Sequence, residues 1–195
     1  MTQTGSSPTQ RADARRSRAR ILAAAATAFA RDAAPTFKDI ARDAGVGIGT
    51  MFRHFPTREA LVEEVFRTEL QTLCADAATL VAALPADEAL REWMSRWAAF
   101  VATKQGMSDV LKSLTSSGSV TKSESATLLT HAVQVILDAG EASSILRSDV
   151  RADDIVAALS GILVVADPVA DDGRTARLLA LLMDGLTNRA RPSRS

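Results

Sequence analysis

One cysteine, no tyrosine and two histidines are all that this chain of 195 residues offers of three chemically versatile side chains. A lone thiol, Cys74, can close no intrachain disulfide and can build no thiolate cluster for zinc, so neither crosslink nor metal is expected, and a reducing cytoplasm is the expected setting. No apolar run reaches the roughly 20 residues of a membrane span, and the first twenty residues are too polar for the core of a signal peptide. No membrane association is therefore expected. Strand-like alternation of apolar and polar residues is missing, and so is any internal repeat. Paired carboxylates, a nucleophile motif and a metal-ligand cluster are also unrecognisable, so no catalytic residue, metal ligand or cofactor is assigned.

What remains is an ordinary folding composition, 47% hydrophobic and 24% charged. The formal net charge is zero, but the charges are segregated along the chain. Residues 1–59 hold ten Lys and Arg against five Asp and Glu, and the remainder holds thirteen against eighteen. A basic head on an acidic body can neutralise phosphates at one end while the other end is repelled by them.

Helical periodicity accounts for almost every segment, which predicts an all-α fold of about nine helices. The first starts near Arg15 and carries Ile21, Leu22, Ala25 and Phe29 on one face. Thr36, followed three residues later by Asp39, reads as the N-terminal cap of a short second helix, which Ala44-Gly45-Val46 ends. A third runs from Gly47 or Ile48 to His54, where Phe55-Pro56 stops it, and Thr57 caps a long fourth helix reaching Pro85. Further helices are expected over 87–104, 107–116, 121–140, 152–166 and 172–190. The implied organisation is a disordered tail (1–13), a basic head (14–60), a helical body (61–190) and a short C-terminal tail (191–195).

Segment 36–61 carries the chemistry. Ile40, Ala41, Val46, Met51, Phe52 and Phe55 can lock two short helices at a fixed angle, as in a helix-turn-helix. The second of them then presents Gly47, Ile48, Gly49 and Thr50 at its start, small enough for close approach to a groove, followed by Arg53 and His54. Gly45, Gly47 and Gly49 do not make a dinucleotide loop, because a helix precedes them where a strand is required.

The string Ile40-Ala-Arg-Asp-Ala-Gly-Val-Gly-Ile-Gly-Thr-Met-Phe-Arg-His-Phe-Pro-Thr-Arg-Glu-Ala-Leu61 resembles the DNA-binding domain of the TetR family, with the likeness extending over about residues 15–65. The resemblance implies contacts to DNA from Thr36 and Lys38 at the second helix, a groove-facing Thr50, a base contact from Arg53, and phosphate contacts from His54 and Arg58. Arg15 and Arg16 are expected at phosphates or in the minor groove. Position 52 is usually Tyr in this family, with its hydroxyl on a phosphate; Phe52 keeps the ring without that bond. The connector from Phe29 to Ile40 is also shorter than the family pattern and lacks its Gly, which predicts a changed docking angle for the first helix.

In the body, Trp93, Met94, Trp97, Phe100 and Met107, with Phe66 and Leu73 of the long helix, form a candidate pocket for a small apolar ligand, to which His131 and Gln134 would add polar contacts. The bland reading is core packing. The last two helices carry Ile155, Leu159, Ile162, Leu163, Leu178, Leu182 and Leu186, more apolar surface than one short pair needs. The resemblance implies a two-fold four-helix interface with a second copy. The expected function is a homodimeric, ligand-released repressor on a palindromic operator. The alternatives are a body that binds a protein partner and a helical-bundle enzyme.

Overall fold

The computed structural model describes residues 8–31, 34–105, 107–116, 122–166 and 173–188. These form nine helices: α1 (Pro8–Arg31), α2 (Phe37–Asp43), α3 (Ile48–His54), α4 (Arg58–Ala83), α5 (Ala86–Gln105), α6 (Ser108–Ser116), α7 (Lys122–Ala142), α8 (Ala152–Val165) and α9 (Arg174–Leu186). The all-α expectation holds. Expected breaks at Gly106, Ser117–Ser119 and Asp167-Pro168, and the outer parts of both tails, lie outside the described residues.

Helix α1 begins at Pro8 and not at Arg15, so the expected disordered tail is already helical over its later part. Proline is tolerated in a first helical turn, where its missing N–H would have no partner, and the Ala- and Arg-rich residues that follow favour helix. Ile21, Ala25 and Phe29, four residues apart, are buried on one face of α1. Thr36 caps α2 from extended backbone, its hydroxyl accepting the Asp39 N–H at 3.2 Å. Gly45 turns the chain out of α2 with φ +62°, a left-handed conformation that costs a side-chain-bearing residue and that glycine takes freely. Thr57 caps α4, accepting the Ala60 N–H at 3.2 Å. With 26 residues, α4 is about 39 Å long.

The chain divides into two compact units, and the division falls inside α4 at Thr68/Glu69, not at residue 60. The first unit holds the described residues up to Thr68 together with the stretch from Thr103 through α6. Leu61, Val62, Val65 and Phe66 at the start of α4 are buried, as are Met107, Leu111 and Leu114 around α6, and Lys104 lies over the Phe66 ring at 5.7 Å. The second unit holds Glu69–Ala102 and everything described from α7 onward.

In the second unit α7 packs on α8 and α8 on α9. Helix α9 stops at Leu186, short of the expected 190, because the chain beyond it turns to extended backbone and pairs with the segment after α7. Arg147 N–H donates to the Leu186 carbonyl at 3.0 Å, and Asn188 N–H to that of Ile145 at 2.8 Å. This single antiparallel bridge, Leu146 to Thr187, is the only extended pairing among the described residues. Leu146 itself is buried and closes over Gly140, where an added Cβ would stand 2.5 to 2.7 Å from three Leu146 side-chain carbons.

Gly140→Ala should therefore force Leu146 away and lower the unfolding free energy by about 1 to 3 kcal/mol, the usual effect of overpacking. Denaturant unfolding followed by circular dichroism measures it; unchanged stability would show that the contact relaxes without cost.

Candidate nucleic-acid interface

The α2–α3 pair is built by inward burial. Ile40 and Ala41 of α2, Met51 of α3 and Phe55 just after it are all buried, and α2 packs against both α1 and α3. Because Met51 and Phe55 point inward, helical geometry turns Arg53 to the opposite side, while Ile48 and Phe52 flank the buried edge and are left 46% and 51% exposed. Phe52 was expected in the lock between the helices; it is instead 51% exposed, its ring resting at 5.2 Å from that of Phe37.

Lys38, Gly47, Ile48, Gly49, Phe52 and Arg53 are exposed, and Thr50 and His54 half-buried. Glycines 47 and 49 have open space where a Cβ would stand, so no packing within the chain requires them to be small. Among the described residues, neither Lys38 nor Arg53 has an acidic partner within 4.0 Å. Arg42, by contrast, is held by Asp39 at 3.0 Å and Asp43 at 3.2 Å.

Arg58, Arg18 and Arg16 have partners within the chain. Arg58 is half-buried; its Nη1 donates to the Pro35 carbonyl at 2.9 Å and its guanidinium lies 5.2 Å over the Phe29 ring. It clasps the α1–α2 connector to α4. Arg18 pairs with Glu64 at 2.7 Å and covers the Phe55 ring at 5.1 Å. The hydrogen bond from Arg18 holds the Glu64 carboxyl below the usual glutamate range. Arg16 pairs with Asp13, whereas Arg15 is exposed. Thr36 spends its hydroxyl on the cap, donating to the Asp39 carboxylate while accepting the Asp39 N–H, and that donated bond lowers the Asp39 pKa. Phe37, unremarked in the sequence, emerges as the support of Phe52; nothing local announces a contact made across the Gly45 turn.

The body candidates are divided between the units. Phe66 and Met107 are core residues of the first unit. In the second, Leu73, Trp93, Met94, Trp97 and Phe100 are buried, the two indoles meeting edge to face at 5.2 Å. Trp93 Nε1 donates to the Leu73 carbonyl at 2.8 Å, satisfying the one polar atom of the cluster's most buried ring. Burial also pushes the nearby Cys74 thiol up to about 11, so it stays protonated at neutral pH. His131 and Gln134 do not join this cluster: both are exposed on α7, and Gln134 donates to Asp138 at 2.7 Å. Most apolar residues of α7 face the other way, with Leu129, Ala132, Val133 and Ile136 buried, while Leu128 is 39% exposed.

The interface candidates also separate. Ile155, Leu159, Leu163 and Leu186 are buried within the chain itself, so they are intrachain core. Ile162, Leu178 and Leu182 are half-buried. The apolar groups left in solvent are Val164, Val165 and Leu181, at 82%, 69% and 67% exposure. On α8 they continue a stripe through the exposed Ala157, Ala158 and Gly161, and no charged residue occurs between Asp154 and Ala166.

A helix-turn-helix with its second helix free on one face, joined in one chain to a helical body, defines a DNA-binding transcription regulator. Residues 21–65 match the family model of bacterial regulatory proteins of the tetR family, and residues 85–188 that of the C-terminal domain of SbtR-like transcriptional regulators. A TetR transcriptional regulator from Streptomyces coelicolor is 41% identical, with 89% of this chain and 99% of that one covered and a TM-score of 0.78. The TetR transcription regulatory protein from Mycobacterium vanbaalenii is 31% identical, covering 91% and 98%, with a TM-score of 0.71. A third solved structure, 26% identical over 87% and 97% with a TM-score of 0.64, concerns the control of antibiotic production by bacterial hormones. No curated protein matches the sequence. The chain belongs to the TetR family of transcriptional regulators. Among the described residues, no helix is long and apolar enough to cross a membrane.

The contrast between Arg58 and Arg53 is measurable in the absence of DNA. Arg58→Ala removes a hydrogen bond and a cation–π contact and should cost about 2 kcal/mol of stability, whereas Arg53→Ala should stay within about 0.5 kcal/mol of the parent. Equal unfolding midpoints for the two variants would return Arg58 to the surface.

Proposed function

We propose that this regulator is a homodimeric repressor that holds a palindromic operator through two copies of α3 and leaves it when a small apolar ligand binds the body. The observation that carries the reading is the outward face of α3, where Arg53 stands exposed beside Ile48, Gly49 and Phe52, with Lys38 exposed on α2. An arginine placed there suits guanine O6 and N7, and Lys38 suits a phosphate.

A second copy is the natural cover for the uncharged stripe of α8 and for Leu181 of α9. An isologous pairing of these two helices buries both copies' stripes at once and sets two heads on one duplex, at half-sites about 34 to 36 Å apart. For the ligand, the cluster of Trp93, Met94, Trp97 and Phe100 supplies aromatic and flexible apolar surface of the kind that accommodates varied small molecules. The structure concerned with the control of antibiotic production by bacterial hormones, at 26% identity, supports a body that responds to a signal. Release then requires only that the ligand bind a DNA-incompetent conformation more tightly than the competent one.

Fragments selected by the purified protein from a random DNA pool should be palindromic. On the selected operator, Arg53→Ala should relax preference at one base pair per half-site by about 1 to 3 kcal/mol, while Lys38→Ala should weaken all sequences alike and reduce the salt slope by about 1. Selection of no sequence, or unchanged binding by both variants, would overturn the reading.

Leu181→Glu should convert the dimer to a monomer in sedimentation equilibrium and reduce operator affinity by about 100-fold or more as the second head is lost. A parent protein that sediments as a monomer sinks the dimer. The ligand is tested with a panel of apolar compounds, read by Trp93 and Trp97 fluorescence and by operator release; no compound moving both readouts would refute that part alone.

A further inference from the structure

Ile48 and Phe52 are the two large apolar side chains that α3 leaves in solvent, at 46% and 51% exposure. They stand four residues apart, so they occupy one face of the helix one turn from each other. The Phe52 ring does not hang free: the half-buried Phe37 of α2 lies 5.2 Å away, tilted by 44°, and supports it from the side. Gly49, between the two, carries no Cβ, and the space above it is open. The result is a supported apolar ledge, bordered by the exposed cations Lys38 and Arg53, in the half of the chain where basic residues outnumber acidic ones.

The cover for such a surface must be polyanionic around an apolar point. In the major groove of B-DNA, one base alone offers an apolar group, the C5 methyl of thymine. We propose that Ile48 and Phe52 read thymine methyl groups in each half-site of the operator, with Phe37 fixing the ring of Phe52 in the reading position. The proposal rests on the DNA-binding reading above and deepens it by naming a base and the residues that select it. Arg53 then specifies guanine by hydrogen bonds, while the ledge specifies thymine by burial, and the two adjoin on one helix. The absence of a hydroxyl from position 52 becomes functional in this light. A phenyl ring offers the methyl an uninterrupted apolar edge, where a tyrosine would bring a polar atom that needs its own partner.

Replacing thymine by deoxyuridine removes the methyl group and leaves base pairing intact, which isolates this contact. On the operator selected by the protein, each thymine is replaced singly in both half-sites and affinity is measured at fixed salt. At one or more positions per half-site the parent protein should lose about fourfold in affinity, the effect of exposing one buried methyl. Phe52→Ala or Ile48→Ala should abolish the loss at its own thymine, and Arg53→Ala should preserve it. Because both ledge residues are exposed, circular dichroism of the variants should match the parent. Sequence-specific binding that is indifferent to every methyl, a methyl effect that survives in both ledge variants, or an operator without thymine in its half-sites would overturn this inference and leave the DNA-binding reading standing. Failure to bind any DNA sequence would remove both.

Discussion

The outward surface of α3 depends on the burial of the other side of this seven-residue helix. Helix α3 is too short to persist alone, because so few hydrogen bonds cannot offset the cost of nucleation. Met51 and the adjoining Phe55, almost completely buried beside Ile40 and Ala41, supply what it lacks. That burial does more than stabilise. Once two residues a turn apart are committed inward, the helix has no rotational freedom: Arg53 must face out, and Ile48 and Phe52 flank the buried edge, about half in solvent. The Gly45 turn fixes where α3 begins, and α1 closes the back of the pair with Ile21, Ala25 and Phe29.

The same constraint sorts the basic residues. Two aromatic rings of the head, Phe29 and Phe55, are covered by the guanidinium groups of Arg58 and Arg18, which also satisfy the Pro35 carbonyl and the Glu64 carboxylate. Those two positive charges are tied to internal partners. Lys38 and Arg53 are not so tied, and their long chains remain available to a polyanion. Excess charge in the head is therefore a poor guide to which residues face DNA, since part of it holds the head together.

In the second unit the controlling fact is the lack of charge on α8 after Asp154. A helix apolar all round can bury only one side against its own chain, and Ile155, Leu159 and Leu163 take that side. The side carrying Ala157, Gly161, Val164 and Val165 is left exposed and uncharged, an arrangement that favours association over solubility. The aromatic cluster around Trp93 and Trp97 is of the opposite kind. It is enclosed and internally satisfied through the Leu73 carbonyl.

Sequence alone determined the elements whose causes are local. The Thr36 and Thr57 caps, the Gly45 break and the stop at Phe55-Pro56 act within a few residues, and each appears in the structure where the pattern places it, whereas the helical periods gave the helices but not the early start of α1 or the early end of α9. The family was legible for the same reason, since the ordered string from Ile40 to Leu61 is contiguous. Tertiary structure decided what depends on distant partners. It turned Phe52 outward onto Phe37, took Arg58 for the connector, and placed His131 and Gln134 in solvent. It also divided the leucines of α8 and α9 between core and surface and ended α9 where residues 145–147 pair with it. A periodic pattern says that a helix has an apolar side; which neighbour claims that side, and how much is left uncovered, is a property of the packed chain.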